Sequence, residues 1–472
     1  MNKTILLLLI VLLSGCMLGP NFQKPEPETP ENYIYADTLQ ANADSVLNLK
    51  WWELFSDPVL DTLVSYALEN NKDMLIAASR VEEVRASLGF IKADIYPRLD
   101  LQVSAGRGNL AGAIKLESAS SQYYIAPVLN WEIDFWGKFR RANEAARAQL
   151  LASMYSYRTV QISLISEVIS TYFMLLDFHQ RLEITEHTLA SRLHSLDIIQ
   201  KRYNEGIIPE IDLNQSQIQK EIAAASIPAT ERLIITTENA LSILMGRLPS
   251  TIQEGVLLDY QAEPPDIPMG IPSTLLERRP DIVQAEYLFK AQNARIGVAE
   301  AMRFPAFNLT GIYGLASQDL TKLTTEGNAW SVSGTLFGPL FNFNKNTLRV
   351  EIEEERTKQA LLNYENTVLF AFREVEDALV LVDTYKRELA AVQRKFFAAK
   401  NANTLSKQRY DQGVTSYLEV LDTERTLFSV ELELSGLRQE YYNAYVKLYK
   451  ALGGGWISEE EMEQAESIPE EE

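Results

Sequence analysis

Residues 345–412 read KNTLRVEIEEERTKQALLNYENTVLFAFREVEDALVLVDTYKRELAAVQRKFFAAKNANTLSKQRYDQ, 68 consecutive positions without a glycine or a proline. Helix breakers are the strongest local punctuation in a chain, so an uninterrupted run of this length reads as one helix. Within it Val368, Phe372, Val375, Leu379, Val382, Leu389, Val392 and Phe396 recur at steps of three, four or seven, the spacing of a coiled coil. A second breaker-free run of 68 residues lies at 138–205. At 1.5 Å per residue each is a rod of roughly 100 Å. Both end at a glycine, Gly206 and Gly413, as a helix C-terminus commonly does. A second helix returns over 213–245 and 417–452, with irregularities expected at Pro228 and Gly436. The two glycines therefore mark the tips of two long helical hairpins.

The runs belong to a duplication. Glu167-Val168 recurs as Glu374-Val375, Arg202-Tyr203-Asn204-Glu205-Gly206 as Arg409-Tyr410-Asp411-Gln412-Gly413, and Met245-Gly246 as Leu452-Gly453, all offset by 207. Upstream, Asp73-Met74 matches Asp281-Ile282, Gly89 matches Gly297 and Tyr96-Pro97 matches Phe304-Pro305, offset by 208. A period this long indicates two copies of one unit, not a solenoid. The expected organisation is a first repeat over 51–256 and a second over 257–457, with hairpins at 138–246 and 345–452.

Ahead of each hairpin lie two segments of period-2 patterning, about 98–106 and 123–136, then 306–317 and 329–342. Tyr123, Ile125, Leu129, Trp131, Ile133 and Phe135 alternate with partners that include Asn130, Glu132 and Asp134. Leu99, Leu101, Val103 and Ala105 alternate with Asp100, Gln102 and Ser104. In the second copy Phe307, Leu309, Tyr313 and Leu315 form one face, and Trp330, Val332, Leu336 and Leu340 another. Such segments fit transmembrane strands facing lipid on one side, and fit equally a pair of soluble hairpins in a sandwich. Closure decides between them. Four strands cannot close a membrane barrel, and lipid tolerates no open edge, so a membrane sheet of this kind must be shared between copies. Pro97 and Pro305 stand where a helix turns into a strand, a place where the missing donor is harmless.

The N-terminus sets the compartment. Lys3 precedes nine apolar residues, Ile5 to Leu13, too short a run to span a bilayer, so 1–15 reads as a secretory signal. Leu13-Ser14-Gly15-Cys16 resembles a lipobox, in which Cys16, the only cysteine, is acylated and becomes the first residue; 16–50 is then a lipid-anchored segment. Met17 in place of aspartate implies sorting to the outer membrane. The composition agrees with an extracytoplasmic, non-nucleic-acid role. There are 44 Lys+Arg against 64 Asp+Glu, a net charge of −20, where a phosphate-binding face would be basic. Eight glutamates and no basic residue fall in 459–472, so 458–472 reads as an acidic, solvated tail.

With these residues in hand, the chain resembles the outer-membrane factors of the TolC/OprM type, nearest the NodT-type lipoprotein branch. The resemblance rests on Cys16-Met17-Leu18-Gly19-Pro20, Trp51-Trp52-Glu53-Leu54-Phe55-Ser56-Asp57-Pro58-Val59-Leu60, Leu244-Met245-Gly246-Arg247-Leu248-Pro249, Arg278-Arg279-Pro280-Asp281-Ile282 and Phe304-Pro305-Ala306-Phe307. It implies a mainly α protein with membrane β structure. Three protomers would share a 12-stranded β-barrel, continued by a periplasmic α-barrel of long hairpins. Such homotrimers are the exit ducts of tripartite pumps, docking a periplasmic adaptor (membrane fusion) protein and an inner-membrane transporter, here of the RND type. They carry no cofactor and catalyse no reaction.

The tips are where mechanism is expected. Tip one carries Tyr203, Glu205, Glu210 and Asp212 around Gly206; tip two carries Tyr410, Asp411, Glu419 and Asp422 around Gly413. Rings of carboxylates at a constriction favour cations, whereas the plainer reading is solvated charge at helix ends. Glu419 and Asp422, three apart, share a helix face, and Asp212 is the repeat partner of Glu419. Related ducts often read Gly-Val-Asp after the tip; here Gly413-Val414-Thr415 leaves that acidic ring absent or displaced. Arg409 and Arg425 stand where salt bridges to neighbouring helices would tie the tip shut.

Enzyme classes find little support. The chain lacks His-Glu-x-x-His, Gly-x-Ser-x-Gly and a phosphate loop. Gly106-Arg107-Gly108 reads as strand glycine, not a dinucleotide fingerprint. His179, His187 and His194 stand at steps of eight and seven along one rod, too far apart for one metal. A lipid-tethered periplasmic coiled-coil scaffold without a pore is the other alternative; it accounts for the rods but not for the four alternating segments.

Overall fold

The computed structural model describes residues 17–30, 32–35, 52, 55–111, 114–263 and 275–454. The signal at 1–15, Cys16 and the acidic tail lie outside the described residues. In chain order the elements are α1 (Pro58–Asn70), α2 (Lys72–Ala93), β1 (Arg98–Ala111), β2 (Ile114–Ile133), α3 (Lys138–Asn204) and α4 (Glu210–Leu244). There follow α5 (Leu275–Arg278), α6 (Pro280–Ala301), β3 (Ala306–Ser317), β4 (Asn328–Phe337), α7 (Lys345–Asp411) and α8 (Tyr417–Ala451). Each breaker-free run is thus a single helix of 67 residues.

The expected irregularities at Pro228 and Gly436 are not breaks: α4 and α8 each run 35 residues through them. One proline in a helix of this length forfeits a single hydrogen bond, which packing along the rest of the helix offsets. Gly436 has a packing reason, because Arg181 of α3 lies directly over its Cα, where a side chain would stand.

The chain divides into two compact units. One comprises Met1–Glu26, Ser79–Tyr155 and Gln284–Asn366 and contains the four strands. These form one antiparallel sheet in the order β1-β2-β3-β4. β1 and β2 run beyond the period-2 segments, to Ala111 and back to Ile114. The added stretch carries Arg107, Lys115, Glu117, Ser120 and Ser121, and its only alternation is the short run at 114–117. β4 stops at Phe337, short of 342, because Pro339 lacks a donor and Gly338 lies against Pro305.

The other unit comprises Pro27–Ala78, Ser156–Val283 and Thr367–Glu472. Its core joins Phe55, Leu60, Val64, Val168, Tyr172, Phe173 and Tyr442, all buried, with Phe55 and Tyr442 packed on Phe173 at 5.0 and 5.2 Å. α3 is apolar enough over 18 residues to cross a membrane, but most of that window is buried within the protein. Asp57 caps α1 through Val59 N–H and accepts from Tyr172 Oη at 2.7 Å, Gln261 Nε2 at 2.8 Å and Val256 N–H at 3.1 Å. Burial, reinforced by that bond to Asp57, drives the Tyr172 phenol far above its ordinary pKa.

The duplication is visible in individual contacts here. Asn71 Nδ2 donates to Leu244 O at 2.8 Å, and its repeat equivalent Arg279 Nη1 donates to Ala451 O at 3.0 Å. Gly246, at φ 68°, abuts Asn70 O, and Gly453, at φ 94°, abuts Arg278 O. A left-handed glycine ends each returning helix and lets it press on the helix that begins the same repeat.

Toward the tips the buried positions of the rods thin out to a heptad seam, with Leu379 of α7 buried beside it. On α7 they are Val368, Val375 and Val382 at one heptad position, with Ala371, Ala378, Val392, Ala399 and Ser406 at the other. On α3, Thr185, Arg192 and Ile199 are buried at steps of seven. These are the two inward positions of a coiled coil.

Candidate functional site

Strand register sorts the sheet into two chemically distinct faces. Leu99 faces Leu129, which faces Gly311; Val103 faces Ile125, which faces Leu315; Phe307 faces Leu336 and Tyr313 faces Trp330. Leu99, Leu101, Val103, Ile125, Leu129, Phe307, Leu309, Tyr313, Trp330, Val332 and Leu336 therefore share one face. The opposite face carries Asp100, Gln102, Ser104, Asn130, Glu132, Asn308, Thr310, Ser331, Ser333 and Thr335. The apolar face is uncovered: Leu101 is 72% exposed and Val332 76%. From Phe307 to Leu315 it extends about 27 Å along the strand, which at the tilt of membrane strands covers about 20 Å of an apolar band about 25 Å tall. Leu340, read as part of this face, lies past the end of β4.

Pro127 sits inside the sheet, on β2, opposite Leu101. The β2–β3 ladder passes from Ile125↔Leu315 to Val128↔Ile312 with no pairing between, an interruption that falls where Pro127 supplies no donor. Gly314 stands at that gap, pressed against Ala126. The edges of the sheet are β1 and β4, and each presents one side without a strand partner among the described residues.

The hairpin tips lie in the second compact unit. Gly206, at φ 72°, and Gly413, at φ 73°, each follow the last turn of a rod. Ile207 N–H bonds Arg202 O at 2.9 Å, and Val414 N–H bonds Arg409 O at 2.9 Å, so both tips use the same left-handed cap. The expected residues do not form one cluster. Glu205 and Glu210 are exposed, Tyr203 and Asp212 half-buried, and Asp422 exposed. Glu419 turns instead toward Thr415, which donates to it, and Arg409, whose Nη1 lies 3.5 Å away. Asp411 meets Arg202 of the other hairpin at 3.6 Å, and that guanidinium lies over the Tyr410 ring at 4.6 Å. Arg425 has an amide partner: the Gln219 oxygen, turned toward it, accepts from Nη2 at 2.9 Å and Nε at 2.8 Å.

Contact between the hairpins near the tips includes an apolar cluster whose members, Tyr410 apart, the sequence reading did not single out. Ile199, Tyr417, Val420 and Leu421 form a buried apolar cluster, with Ile208, Leu213 and Tyr410 packed on it. Burial pushes the Tyr417 phenol up to about 12. Beyond it, buried Arg192 donates Nη1 to Gln219 O at 2.6 Å and faces the Phe428 ring at 4.9 Å. Burial draws the Arg192 pKa down, opposed by Glu424, itself buried and paired to Lys407 at 2.8 Å. The heptad step from Thr185 through Arg192 to Ile199 was the available signal, obscured because two of its three members are polar. Among the described residues no group of three or more His, Cys, Asp or Glu is placed to hold a metal.

An exposed apolar sheet, joined to two matching hairpins each made of a 67-residue helix and a 35-residue return, defines an outer-membrane duct protein. The chain belongs to the outer membrane efflux protein family, whose model matches residues 63–247 and again 271–454, once per repeat. It is 36% identical over 463 residues to the solvent efflux pump outer membrane protein SrpC of Pseudomonas putida, covering 96% of this chain and 98% of that protein. To the cation efflux system protein CusC of Escherichia coli it is 34% identical over 449 residues, covering 94% and 96%. Among solved structures, the Campylobacter jejuni CmeC outer membrane channel superposes with a TM-score of 0.89 at 27% identity, covering 96% and 98% of the two chains. The chain is thus an outer-membrane efflux channel, the exit duct of an efflux system, with its helical part in the periplasm.

Proposed function

We propose that three copies of the chain close the duct, each giving four strands to a 12-stranded barrel, and that Cys16 anchors each copy by lipid. The observation that carries this is the sheet itself: the face from Leu99 and Val103 across to Trp330 and Leu336 is apolar and largely exposed, and neither edge has a strand partner among the described residues. Lipid accepts such a face but not such edges, so β1 of one copy must pair with β4 of the next. The inner face would then be the polar one, with Asp100, Asn130, Asn308 and Ser333 toward the channel.

The duct acts passively and as no enzyme, docking a periplasmic adaptor and an RND-type inner-membrane transporter that supplies the energy. Relatives of similar identity are named for solvent, toluene, cation and antibiotic efflux, at 36, 36, 34 and 31%. Cargo choice is therefore assigned to the pump and adaptor. The tips, with Arg202, Arg409, Tyr410, Asp411, Glu419 and Arg425, form the periplasmic closure. Outer membranes from expressing cells should yield a dodecyl-sulfate-resistant species of three times the chain mass that conducts in planar bilayers. A monomeric, non-conducting species would overturn the reading in favour of a tethered scaffold. Arg425→Glu should raise single-channel conductance; unchanged conductance would remove Arg425 from the closure.

A further inference from the structure

The residues just after Cys16 are held by a built socket. Met17 to Glu26 belongs to the strand-bearing unit and runs as an extended strap along α6. Gly19 meets Gly297, Pro20 O accepts from Asn293 Nδ2 at 3.2 Å, Phe22 packs edge-on to Phe289 at 5.4 Å, and Lys24 pairs with Glu286 at 3.0 Å. Those partners follow one another along α6 at steps of four, four and three, so they form a single helix face.

The start of the strap is clamped at the junction between β2 and α3. Leu18 N–H donates to Trp136 O at 3.2 Å, and Met17 fills the space beside Gly137. Arg141, near the start of α3 and 1% exposed, directs its guanidinium at the strap. Nε donates to Leu18 O at 2.9 Å, Nη2 to Gly19 O at 3.0 Å and to Asn21 Oδ1 at 2.9 Å, and Nη1 to Glu144 at 2.8 Å. A cation near a helix N-terminus opposes the helix dipole, and a buried guanidinium costs several kcal/mol unless its donors are used. The strap supplies three of its four acceptors. Neither glycine admits a side chain: Gly19 stands at φ 89°, and a Cβ on Gly297 would lie 2.6 Å from Leu18 O and 2.8 Å from Arg141 Cγ. Trp136 in turn stacks on Phe304 at 4.6 Å and donates Nε1 to Pro305 O at 2.9 Å, joining the junctions ahead of α3 and β3.

We propose that Arg141 is a positioning residue that grips the chain immediately after the anchored cysteine, fixing the mature N-terminus at the strand–helix junction so that the acyl chains of Cys16 enter the bilayer beside the base of the sheet. The proposal rests on the lipoprotein reading of Cys16, but the clamp begins two residues later and forms with or without acylation.

The test uses Leu18→Cys in the otherwise native chain, labelled with a maleimide in outer membranes. Acylated Cys16 has no free thiol, so one label per chain is expected. Two labels per chain would overturn the lipoprotein reading alone, and the clamp would then be measured on Cys16→Ala. Loss of one charge-assisted hydrogen bond should speed local opening about tenfold. Asn21→Ala is thus expected to accelerate labelling about 10-fold, and Arg141→Ala about 100-fold or more. Arg141→Lys, whose donors radiate from one nitrogen and cannot reproduce the spread of Nε, Nη1 and Nη2, should stay close to Arg141→Ala. Asn21→Ala should add nothing once Arg141 is Ala, a non-additivity that a merely structural arginine would not give. A rate within twofold of the parent in Asn21→Ala, which alters an exposed residue and keeps the fold, would overturn the proposal, as would full additivity.

Discussion

Ile199→Ala and Arg202→Ala, three residues apart on α3, separate two accounts of what keeps the hairpins together at the tip. Ile199 is 1% exposed, among Tyr417, Val420 and Leu421 at 4, 3 and 0%. Truncation there removes three carbons and leaves a cavity, a cost of about 3 kcal/mol that falls only on the state in which the hairpins are in contact. Arg202 meets a carboxylate, Asp411, that is 68% exposed, at 3.6 Å. Such a pair contributes about 0–1 kcal/mol, and the guanidinium over Tyr410 about 0.5–1 kcal/mol more when solvated. At about 1.4 kcal/mol per tenfold, Ile199→Ala should raise the open-to-closed ratio roughly 150-fold and Arg202→Ala roughly 5-fold. Single-channel recording in planar bilayers reads the open fraction directly, with heat stability of the oligomer as a control for assembly. If Arg202→Ala opened the channel as much as Ile199→Ala, the charged contact and not the apolar cluster would hold the tip.

Other outcomes follow from the same geometry. Val332→Arg, on the apolar face of β4, should cost about 2–4 kcal/mol and abolish heat-resistant oligomers in the outer membrane, whereas its neighbour Ser331→Arg, on the opposite face, should still assemble. Gly246→Ala should lower the thermal midpoint more than Gly413→Ala. Both stand at positive φ, about 1–2 kcal/mol of strain for an alanine, but only Gly246 abuts another backbone, while Gly413 faces open space. Tyr33, Tyr417, Tyr442 and Tyr449 have phenols pushed up to about 12 by burial, against 10 in the unfolded chain. The folded state keeps these protons longer, so their contribution is complete below pH 10 and is lost between pH 10 and 12, at about 1.4 kcal/mol per unit for each. Thermal melts should therefore show a steep alkaline loss, moved to higher pH in Tyr417→Phe.

The legible parts of the fold were those written in local periodicity. A run without breakers leaves the backbone one regular choice, so the bounds of α3 and α7 fell within a residue of the sequence reading. β3, with alternation along its length, was equally plain, while the outer ends of β1 and β2 were not, because alternation there is confined to 114–117 and pairing rests mainly on backbone bonds. At the tips the charged residues drew attention because charge stands out in a sequence. Ile199 did not, since a heptad whose other members are Thr185 and Arg192 does not look apolar.

Sequence by itself determined the duplication, the long hairpins and their glycine tips, and the alternating strands. Each depends on neighbours within a turn or a strand, or on comparing the chain with itself. Only the tertiary structure decided that Arg141 and Gly297 hold the strap, that Arg425 meets Gln219, and that Glu419 turns to Arg409. These contacts join residues on different elements, up to 278 positions apart between Gly19 and Gly297, and a one-dimensional pattern carries no record of which faces meet. The physical reason is that a helix or strand is chosen by local sterics and amphipathicity, whereas a buried guanidinium finds its acceptors only after the elements have packed.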